Sequence, residues 1–160
     1  MAHTIESTLT AYLTAEQDRF YRLAFSYLKN QDDALDAVQT AVCRSLEKQD
    51  SLRNPDALRP WFYHILVNAC MDILRQRSKL VPFPESEPGQ EDPPPPDEHL
   101  ARQVEALPAE VGTVIRLRFY EELTLKEISA ATGANLSTVK SRLYAGLKKL
   151  RIAMEGAEDE

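Results

Sequence analysis

The chain has 160 residues with 43% hydrophobic and 28% charged side chains, a globular composition that allows one medium domain or two small ones. It has no apolar run near the roughly 20 residues that span a bilayer and no secretory signal, so we expect a cytoplasmic protein. Cys43 and Cys70 are isolated from each other and from any set of metal ligands. We therefore expect buried free thiols, no metal site and no cofactor.

The first 79 residues predict an all-α bundle of three or four helices. The apolar residues of one helix follow the spacing i, i+3, i+4, i+7, i+8, namely Phe20, Leu23, Ala24, Tyr27 and Leu28. The next helix, from about Asp32 to Lys48, is expected to bury Leu35, Val38, Val42 and Leu46. Another begins at Pro60 after a polar loop and ends near Arg77. Its predicted buried stripe is Phe62, Ile65, Leu66, Ala69 and Ile73.

Residues 80–99 mark the clearest boundary in the chain. They contain seven prolines, six acidic side chains and no Lys or Arg. Because prolines remove backbone donors and like charges repel, we expect an extended linker between two small helical domains, residues 1–79 and 100–152. The net charge of −6 comes from this linker and from the acidic tail, residues 153–160. The second domain itself is basic, with nine Lys/Arg against five Asp/Glu.

The second domain contains the pattern of a helix-turn-helix. Thr124 and Glu127 have the spacing of a capping box, and the helix that they start carries Leu125, Ile128 and Ala131 on one side. Gly133 then ends this helix, and Asn135 is a candidate cap for the next one. The predicted buried stripe of that second helix is Leu136, Val139, Leu143, Leu147 and Leu150.

The outward face of the second helix has the chemistry of a DNA-binding surface. It holds short hydroxyl side chains, two cations and one tyrosine: Ser137, Thr138, Lys140, Ser141, Arg142 and Tyr144. Hydroxyl groups near a helix N-terminus suit phosphate contacts, while Lys and Arg reach phosphates or guanine acceptors. The alternative is an amphipathic helical hairpin with a solvated basic face, and the cap, the glycine turn and the one-sided charge favour DNA binding over it.

The order of these parts resembles bacterial RNA polymerase sigma factors of the extracytoplasmic-function class. The segments FYRLAFSYLKNQDDALDAVQTAV and RPWFYHILVNACMDILRQR are similar to the second conserved region of that family. The segment LPAEVGTVIRLRFYEELTLKEISAATGANLSTVKSRLYAGLKKLR is similar to its fourth region. The most specific pieces are DALDAVQ, residues 33–39, and TVKSRL, residues 138–143. The smallest family members have these two regions and no others.

The resemblance implies roles for individual residues. Those expected to contact core polymerase are Asp33, Asp36, Val38 and Gln39. The loop of residues 50–54 is expected to capture a flipped base of the −10 element, with Ser51, Arg53 and Asn54 as candidates or as plain turn residues. The following helix is expected to help separate the strands, with Trp61, His64, Asn68 and Arg75 as candidates.

The resemblance assigns roles most directly to the residues expected to contact the −35 element. Lys140, Ser141, Arg142 and Tyr144 are at positions that face this element in the family, and Thr124 and Thr138 are the expected phosphate ligands, with Ser137 and Lys148 beside them. Two stretches depart from the family pattern. Ala41-Val42-Cys43 replaces a bulkier sequence, and Ala145-Gly146 replaces a pair that is often basic, which we expect to shift phosphate contacts toward Lys148 and Lys149.

The function implied by the resemblance is that of a promoter-specificity factor and not an enzyme. Its expected partners are core RNA polymerase, promoter DNA and an anti-sigma factor, with no small-molecule substrate. The acidic linker either imitates RNA in the polymerase exit path or is a solvated spacer. The alternative function is a stand-alone helix-turn-helix repressor or activator, whose N-terminal bundle would dimerise on a palindrome with half-sites about 34–36 Å apart. We find no convergent constellation that indicates a nucleic-acid enzyme.

Overall fold

The computed structural model describes residues 3–80 and 96–158, and every regular element in these two ranges is a helix. The predicted linker falls mainly on residues 81–95, which lie outside the described residues. Eight α-helices occur in the described part: α1 His3–Ala15, α2 Gln17–Leu28, α3 Gln31–Glu47, α4 Leu58–Leu80, α5 Pro96–Glu105, α6 Ala109–Ile115, α7 Leu125–Thr132 and α8 Leu136–Glu158. The all-α fold class is therefore confirmed. Within the described ranges, no helix is both long and apolar enough to cross a membrane.

Helices α1 to α4 form the N-terminal bundle around an aromatic cluster. The ring centroids of Phe20 and Phe62 are 4.5 Å apart, and Tyr63 packs edge-on to Phe20 at 5.8 Å. Tyr12 of α1 completes the cluster, 5.5 Å from Phe20. The five predicted apolar positions of α2 are all buried, which confirms that stripe. Asn30 then caps α3 by accepting a 2.8 Å hydrogen bond from the Asp33 backbone N–H.

Helix α3 buries a different face from the predicted one. Its buried residues are Ala34, Ala37, Ala41 and Ser45. Leu35 is 50% and Leu46 is 39% exposed, while Val38 and Val42 are only half-buried. The prediction was wrong because α3 packs against both α2 and α4. Small side chains let the three backbones approach closely, so the stripe of larger residues, one position further along, is turned toward solvent.

Helix α4 begins two residues before Pro60, which therefore occupies the first turn, where a helix has no acceptor for a backbone N–H. Four of its five predicted stripe residues are buried, and the fifth, Ile73, is half-buried. The polar loop before it contains two 3₁₀ turns, Gln49–Ser51 and Pro55–Ala57. Between them Leu52 is buried and anchors the loop to the bundle.

The two cysteines differ in environment. Cys70 of α4 is buried as expected, and burial raises the pKa of its thiol to about 12. Cys43 of α3 is exposed, so the prediction of two buried thiols was wrong for this residue. The cause is again the face of α3: Ala41 occupies the inner position, and Cys43, two residues further along, points outward.

Two helices extend beyond the predicted bounds of the second domain, residues 100–152. Helix α5 begins at Pro96, inside the stretch predicted to be an extended linker, and proline is favoured in the first turn of a helix. Helix α8 continues to Glu158, through most of the predicted acidic tail. Between α6 and α7 the chain makes one turn of π-helix, Arg116–Tyr120, and Glu122 then adopts a positive φ of 59°.

The helices of residues 3–80 pack directly against those of residues 96–158. Helix α4 lies against α7, and α5 also contacts α2. The buried apolar residues of both parts, from Leu9 to Leu150, belong to a single hydrophobic cluster. The two predicted domains are thus in contact along a shared interface, which the sequence pattern did not indicate.

Candidate nucleic-acid interface

Local hydrogen bonds fix the geometry of the helix-turn-helix. The Glu127 backbone N–H donates to Thr124 Oγ1 at 3.0 Å, and the Thr124 backbone N–H donates to Glu127 Oε1 at 2.9 Å, so the predicted capping box is present. Gly133 ends α7 with a φ of 82°, and the Asn135 side chain accepts from the Thr138 backbone N–H at 2.8 Å. The start of α7 and the turn into α8 are therefore held by the four residues that the sequence indicated.

Helix α8 buries a narrower stripe than predicted. Val139, Leu143 and Leu150 are buried, but Leu136 is 41% and Leu147 is 38% exposed, so the prediction was wrong for these two leucines. Gly146 takes the inner position that the pattern had assigned to Leu147. A Cβ atom on Gly146 would lie 2.7 Å from Ile115 Cγ1 of α6. The two helices approach so closely here that only a glycine fits between them, and Leu147 is displaced to the edge of the contact.

The opposite side of α8 presents most of the predicted −35 residues to solvent. Ser137, Lys140, Ser141 and Lys148 are exposed, and Tyr144 is 64% exposed. Thr138 is half-buried, and Thr124, at the start of α7, is exposed. The structure thus brings together hydroxyl groups, cations and one aromatic ring on a single face, which is suited to contacts with phosphates and base edges in a major groove.

Arg142 is more restrained than its neighbours on α8. Its Nη2 atom lies 3.2 Å from Glu110 Oε1 of α6, and its side chain is 28% exposed. A DNA contact that uses Nη2 therefore competes with the ion pair to Glu110.

The candidates for the −10 element fall into two groups in the structure. Those of the loop are held by local bonds: Ser51 Oγ donates to the Lys48 carbonyl, and Asn54 accepts from the Asp56 backbone N–H. Trp61 Nε1 donates to Ser51 Oγ at 3.2 Å, which ties α4 to the loop, while Arg53 is exposed. Two of the three loop candidates thus make the turn contacts that were the alternative interpretation.

On α4, the remaining −10 candidates are His64, Asn68 and Arg75. His64 Nδ1 is 2.7 Å from the Ala131 carbonyl of α7, and its Nε2 is 3.2 Å from Asn68 Nδ2. Arg75 forms an ion pair with Asp72 one turn earlier. His64, Asn68 and Arg142 line one cavity of about 200 Å³ between α4 and the C-terminal helices. Predicted −10 and −35 residues therefore face each other across this cavity.

The candidates for polymerase contact lie on α3. Asp36 and Gln39 are exposed, and Val38 is half-buried. Asp33 instead forms a 2.6 Å ion pair with Arg77 Nη2 of α4, and the same Nη2 also donates to the Leu28 carbonyl. Asp33 thus joins α3 to α4, whereas Asp36 and Gln39 are open to a partner.

Sequence reasoning missed the polar residues that join the two parts of the chain. Tyr63 donates a 2.6 Å hydrogen bond to Glu121 Oε1, although Glu121 is only 1% exposed. Burial raises the pKa of the Glu121 carboxyl above its ordinary value, against the opposing effects of the Tyr63 hydrogen bond and of the guanidinium groups of Arg19, Arg22 and Arg59. The only hint in the sequence was the position of this acid, directly after the largely apolar segment VIRLRFY.

A second charged residue enters the same interface. Arg116, 5% exposed, donates from Nε to Ser26 Oγ at 2.9 Å and lies 4.0 Å from the centre of the Tyr27 ring. The Tyr27 hydroxyl is 2.5 Å from Thr113 Oγ1, and burial raises the pKa of Tyr27 to about 12, so this hydroxyl stays protonated at neutral pH. Within the residues described, no group of three or more His, Cys, Asp or Glu side chains is placed to hold a metal ion.

Comparison with known proteins identifies relatives of both halves. The family model "Sigma-70 region 2" matches residues 13–80, and "Sigma-70, region 4" matches residues 98–150. The chain is 42% identical over 156 residues to RNA polymerase sigma factor SigV of Bacillus subtilis, covering 94% of this chain and 93% of that protein. It is 32% identical over 146 residues to ECF RNA polymerase sigma factor SigE of Mycolicibacterium smegmatis, covering 84% of this chain and 56% of that protein.

Two solved structures have a similar fold. One is the sigma factor RpoE in complex with the anti-sigma factor NepR from Bartonella quintana, with a TM-score of 0.72, 20% identity, and coverage of 96% of this chain and 98% of that one. The other is CnrH in complex with the cytosolic domain of CnrY, with a TM-score of 0.72, 19% identity, and coverage of 92% and 88%.

Proposed function

This chain belongs to the extracytoplasmic-function class of RNA polymerase sigma factors, and on that premise we propose that helix α8 recognises the −35 element of its promoters. The protein binds core RNA polymerase and directs transcription initiation at specific promoters. Sigma factors are not enzymes, and in our proposal all catalysis stays with the polymerase in the cytoplasm.

The observation that carries the −35 assignment is the exposed polar face of α8. Lys140, Ser141 and Tyr144 project from a helix whose start is fixed by the Asn135 cap and whose opposite side is buried against α6. In this proposal Arg142 also contacts the DNA, after its Nη2 atom has exchanged Glu110 for a DNA acceptor. A good bidentate contact to a base contributes roughly 1–3 kcal/mol of discrimination, so a few such residues are enough to select a promoter.

Phosphate contacts flank the base-reading residues in this proposal. Thr124 is the N-cap of α7, and Ser137 and Thr138 lie in the first turn of α8, so their hydroxyl groups are close to helix N-termini, which favour an anion. Lys148 lies about one turn after Tyr144 on α8 and is exposed. These contacts set the register of the protein on the duplex and carry no sequence information themselves.

The N-terminal bundle is proposed to hold the melted −10 region. The loop residues Ser51, Arg53 and Asn54 form the candidate pocket for an extruded base, with Trp61 beside them. Along α4 the single strand would contact His64, Asn68 and Arg75. Unstacked bases offer their Watson–Crick edges to such polar groups and their faces to an aromatic ring.

Polymerase binding is proposed to use the outer face of α3. Asp36, Val38 and Gln39 lie beside the exposed Leu35, so the surface combines an apolar strip with acidic and amide groups. Asp33 would contribute by holding α3 against α4 through Arg77. We also propose an anti-sigma factor as a regulatory partner, since one similar structure is a complex with the anti-sigma factor NepR and another is a complex with the cytosolic domain of CnrY.

The test separates promoter recognition from polymerase binding. Lys140→Ala combined with Arg142→Ala is expected to abolish promoter-dependent run-off transcription, while the protein still co-elutes with core polymerase in size-exclusion chromatography. The matched control is Arg102→Ala with Lys126→Ala, which removes two exposed cations from the same half of the chain and should leave transcription near wild type. Full transcription by the first variant would refute the −35 assignment. Failure of the wild-type protein to co-elute with polymerase would overturn the proposed function as a whole.

A further inference from the structure

Leu136 is an apolar side chain at the start of the polar outer face of α8. It is the first residue of the helix and is 41% exposed, whereas Val139 and Leu143 of the same helix are buried. Single exposed leucines are common on protein surfaces, so exposure alone assigns no role to this residue. What distinguishes Leu136 is the set of neighbours that it has along the helix.

Leu136 lies in one row with two of the residues proposed to face the −35 element. Residues four positions apart are neighbours on a helix surface, so Leu136, Lys140 and Tyr144 follow one another along α8. Lys140 is exposed and Tyr144 is 64% exposed, so all three side chains of the row are open to solvent. Leu136 is the N-terminal member of this row. In a helix-turn-helix, the N-terminal residues of the second helix are those that contact base edges in the major groove.

Hydrogen bonds hold the backbone next to Leu136. The Ala134 carbonyl accepts from Ser129 Oγ of α7 at 2.7 Å. The Asn135 carbonyl accepts from the Val139 backbone N–H at 3.0 Å, and the Asn135 side chain caps the helix, as described above. The place of Leu136 in the row is therefore set before DNA binds, so little backbone order has to be gained when the contact forms.

A leucine side chain recognises only an apolar feature of DNA. It has no donor or acceptor for a phosphate or for the polar edge of a base. The major groove presents one apolar group, the C5 methyl of thymine, which apolar side chains contact. Against a polar base edge, the leucine would displace water without replacing the hydrogen bonds of that water, which costs affinity. Among the four bases, a leucine at this position therefore favours thymine.

We propose that Leu136 is a specificity-determining residue that recognises one thymine of the −35 element through its C5 methyl group. This inference rests on the proposed function, because it requires α8 to lie in the major groove. Burial of one methyl-sized apolar group favours binding by about four-fold. No counterion is released in such a contact, so the thymine preference is independent of salt, unlike a contact of Lys140 with a phosphate.

The experiment uses the full chain in complex with core RNA polymerase. Selection from duplexes with randomised upstream sequence first yields a promoter that this holoenzyme transcribes. Each thymine of its −35 element, on either strand, is then replaced singly by uracil, which pairs in the same way and lacks only the methyl group. Competition band shifts give the ratio of Kd for the uracil duplex to Kd for the thymine duplex. We expect a ratio of about four at one position in the wild-type complex, at both about 50 mM and about 200 mM salt.

Three leucine variants test which residue makes the methyl contact. Leu136→Ala is expected to lower the ratio to about one at that position, while Leu136→Met keeps an apolar side chain of similar volume and should retain most of the ratio. The matched control is Leu147→Ala, because Leu147 is 38% exposed on the same helix and lies about three turns further from its N-terminus. This control should keep the wild-type ratio. Each ratio compares two DNAs with one protein, so a change in stability or in polymerase affinity cancels.

Two outcomes would overturn this inference and leave the −35 assignment intact. One is a −35 element that depends on Lys140 and Arg142 but contains no thymine whose replacement weakens binding by about two-fold or more. The other is a wild-type ratio in Leu136→Ala, which would assign the methyl contact to a different side chain. Full transcription by the variant that combines Lys140→Ala with Arg142→Ala would instead refute the −35 assignment, and the proposed role of Leu136 with it.

Discussion

Replacement of Gly146 by alanine tests the close approach of α8 to α6. The new Cβ would lie 2.7 Å from Ile115 Cγ1, 2.8 Å from Ile115 Cδ1 and 3.0 Å from Val111 Cγ1. Carbon atoms in proteins pack at about 3.5–4.0 Å, so all three contacts are too short. Ile115 is 2% exposed, so neighbouring atoms enclose its side chain. The substitution must therefore push the two helices apart or force a side chain out of its preferred rotamer.

Two effects of opposite sign decide the size of the change. Alanine is favoured over glycine inside a helix by about 1 kcal/mol. Overpacking a well-filled core costs about 1–3 kcal/mol, and three short contacts with a buried isoleucine place this site near the upper end of that range. The net loss in free energy of unfolding is then about 2 kcal/mol. For a chain of this size that corresponds to a fall in Tm of about 4–8 °C.

The assay is thermal unfolding followed by circular dichroism, with a double-mutant cycle as the control. Ile115→Ala removes both Cγ1 and Cδ1, so the added methyl group of Gly146→Ala should fit into the space that it leaves. The double variant is expected to be more stable than the sum of the two single losses by about 0.5–3 kcal/mol. An increase in Tm for Gly146→Ala alone would mean that helix propensity dominates, and the close packing of α8 on α6 would be refuted.

Three other substitutions test separate parts of the structure. Thr124→Ala removes the N-cap of α7 and should lower the free energy of unfolding by about 1 kcal/mol in urea titrations. The control Glu127→Gln keeps the capping box and should change this free energy little. Equal losses in the two variants would contradict the cap. In Gly133→Ala the new Cβ has no atom within 4 Å, but the alanine must adopt a φ of 82°. We therefore expect the free energy of unfolding to fall by about 1–2 kcal/mol in the same titrations, and by less in Gly133→Asn. An unchanged free energy of unfolding in Gly133→Ala would refute the backbone strain. Burial raises the pKa of Glu121, so the folded chain binds the proton of this carboxyl more tightly than the unfolded chain does. The protonated Glu121 therefore contributes fully to stability below the ordinary pKa of 4.5. This contribution is lost as the pH rises through the raised pKa. Subtracting the stability profile of Glu121→Gln from that of wild type across pH should show this decline, and a flat difference would contradict it.

Local patterns predicted the elements whose structure is determined locally. The stripe of α2 and the caps at Thr124, Gly133 and Asn135 depend on neighbouring residues in the chain, and all of these predictions are confirmed. The face of α3 was not predictable in this way. Its large apolar residues and its small ones repeat with the same period, one position apart, and hydrophobicity alone favours the large set. Only the presence of helices on two sides of α3 selects the small set.

In the candidate site as well, local sequence patterns did not predict contacts between residues that are far apart in the chain. The exposed residues of α8 were identified from spacing and residue type, and the structure places Lys140, Ser141 and Tyr144 on one open face. The ion pair of Arg142 with Glu110 and the burial of Glu121 join residues that are at least 32 positions apart. From the sequence alone, each of these charged side chains is expected to be exposed to solvent. Their roles become visible only when the partners are in place.

In the proposed −35 contact, Glu110 and the DNA compete for the same Nη2 atom of Arg142. An exposed pair of this kind contributes only about 0–1 kcal/mol, and a DNA contact through Nη2 has to replace it. In this proposed contact, a guanine that accepts two hydrogen bonds adds about 1–3 kcal/mol of discrimination over other bases, which equals or exceeds the contribution of the ion pair. Glu110 would then lower the net gain from each contact through Nη2 by the same small amount, so a weak contact loses a larger share of its energy than a bidentate one.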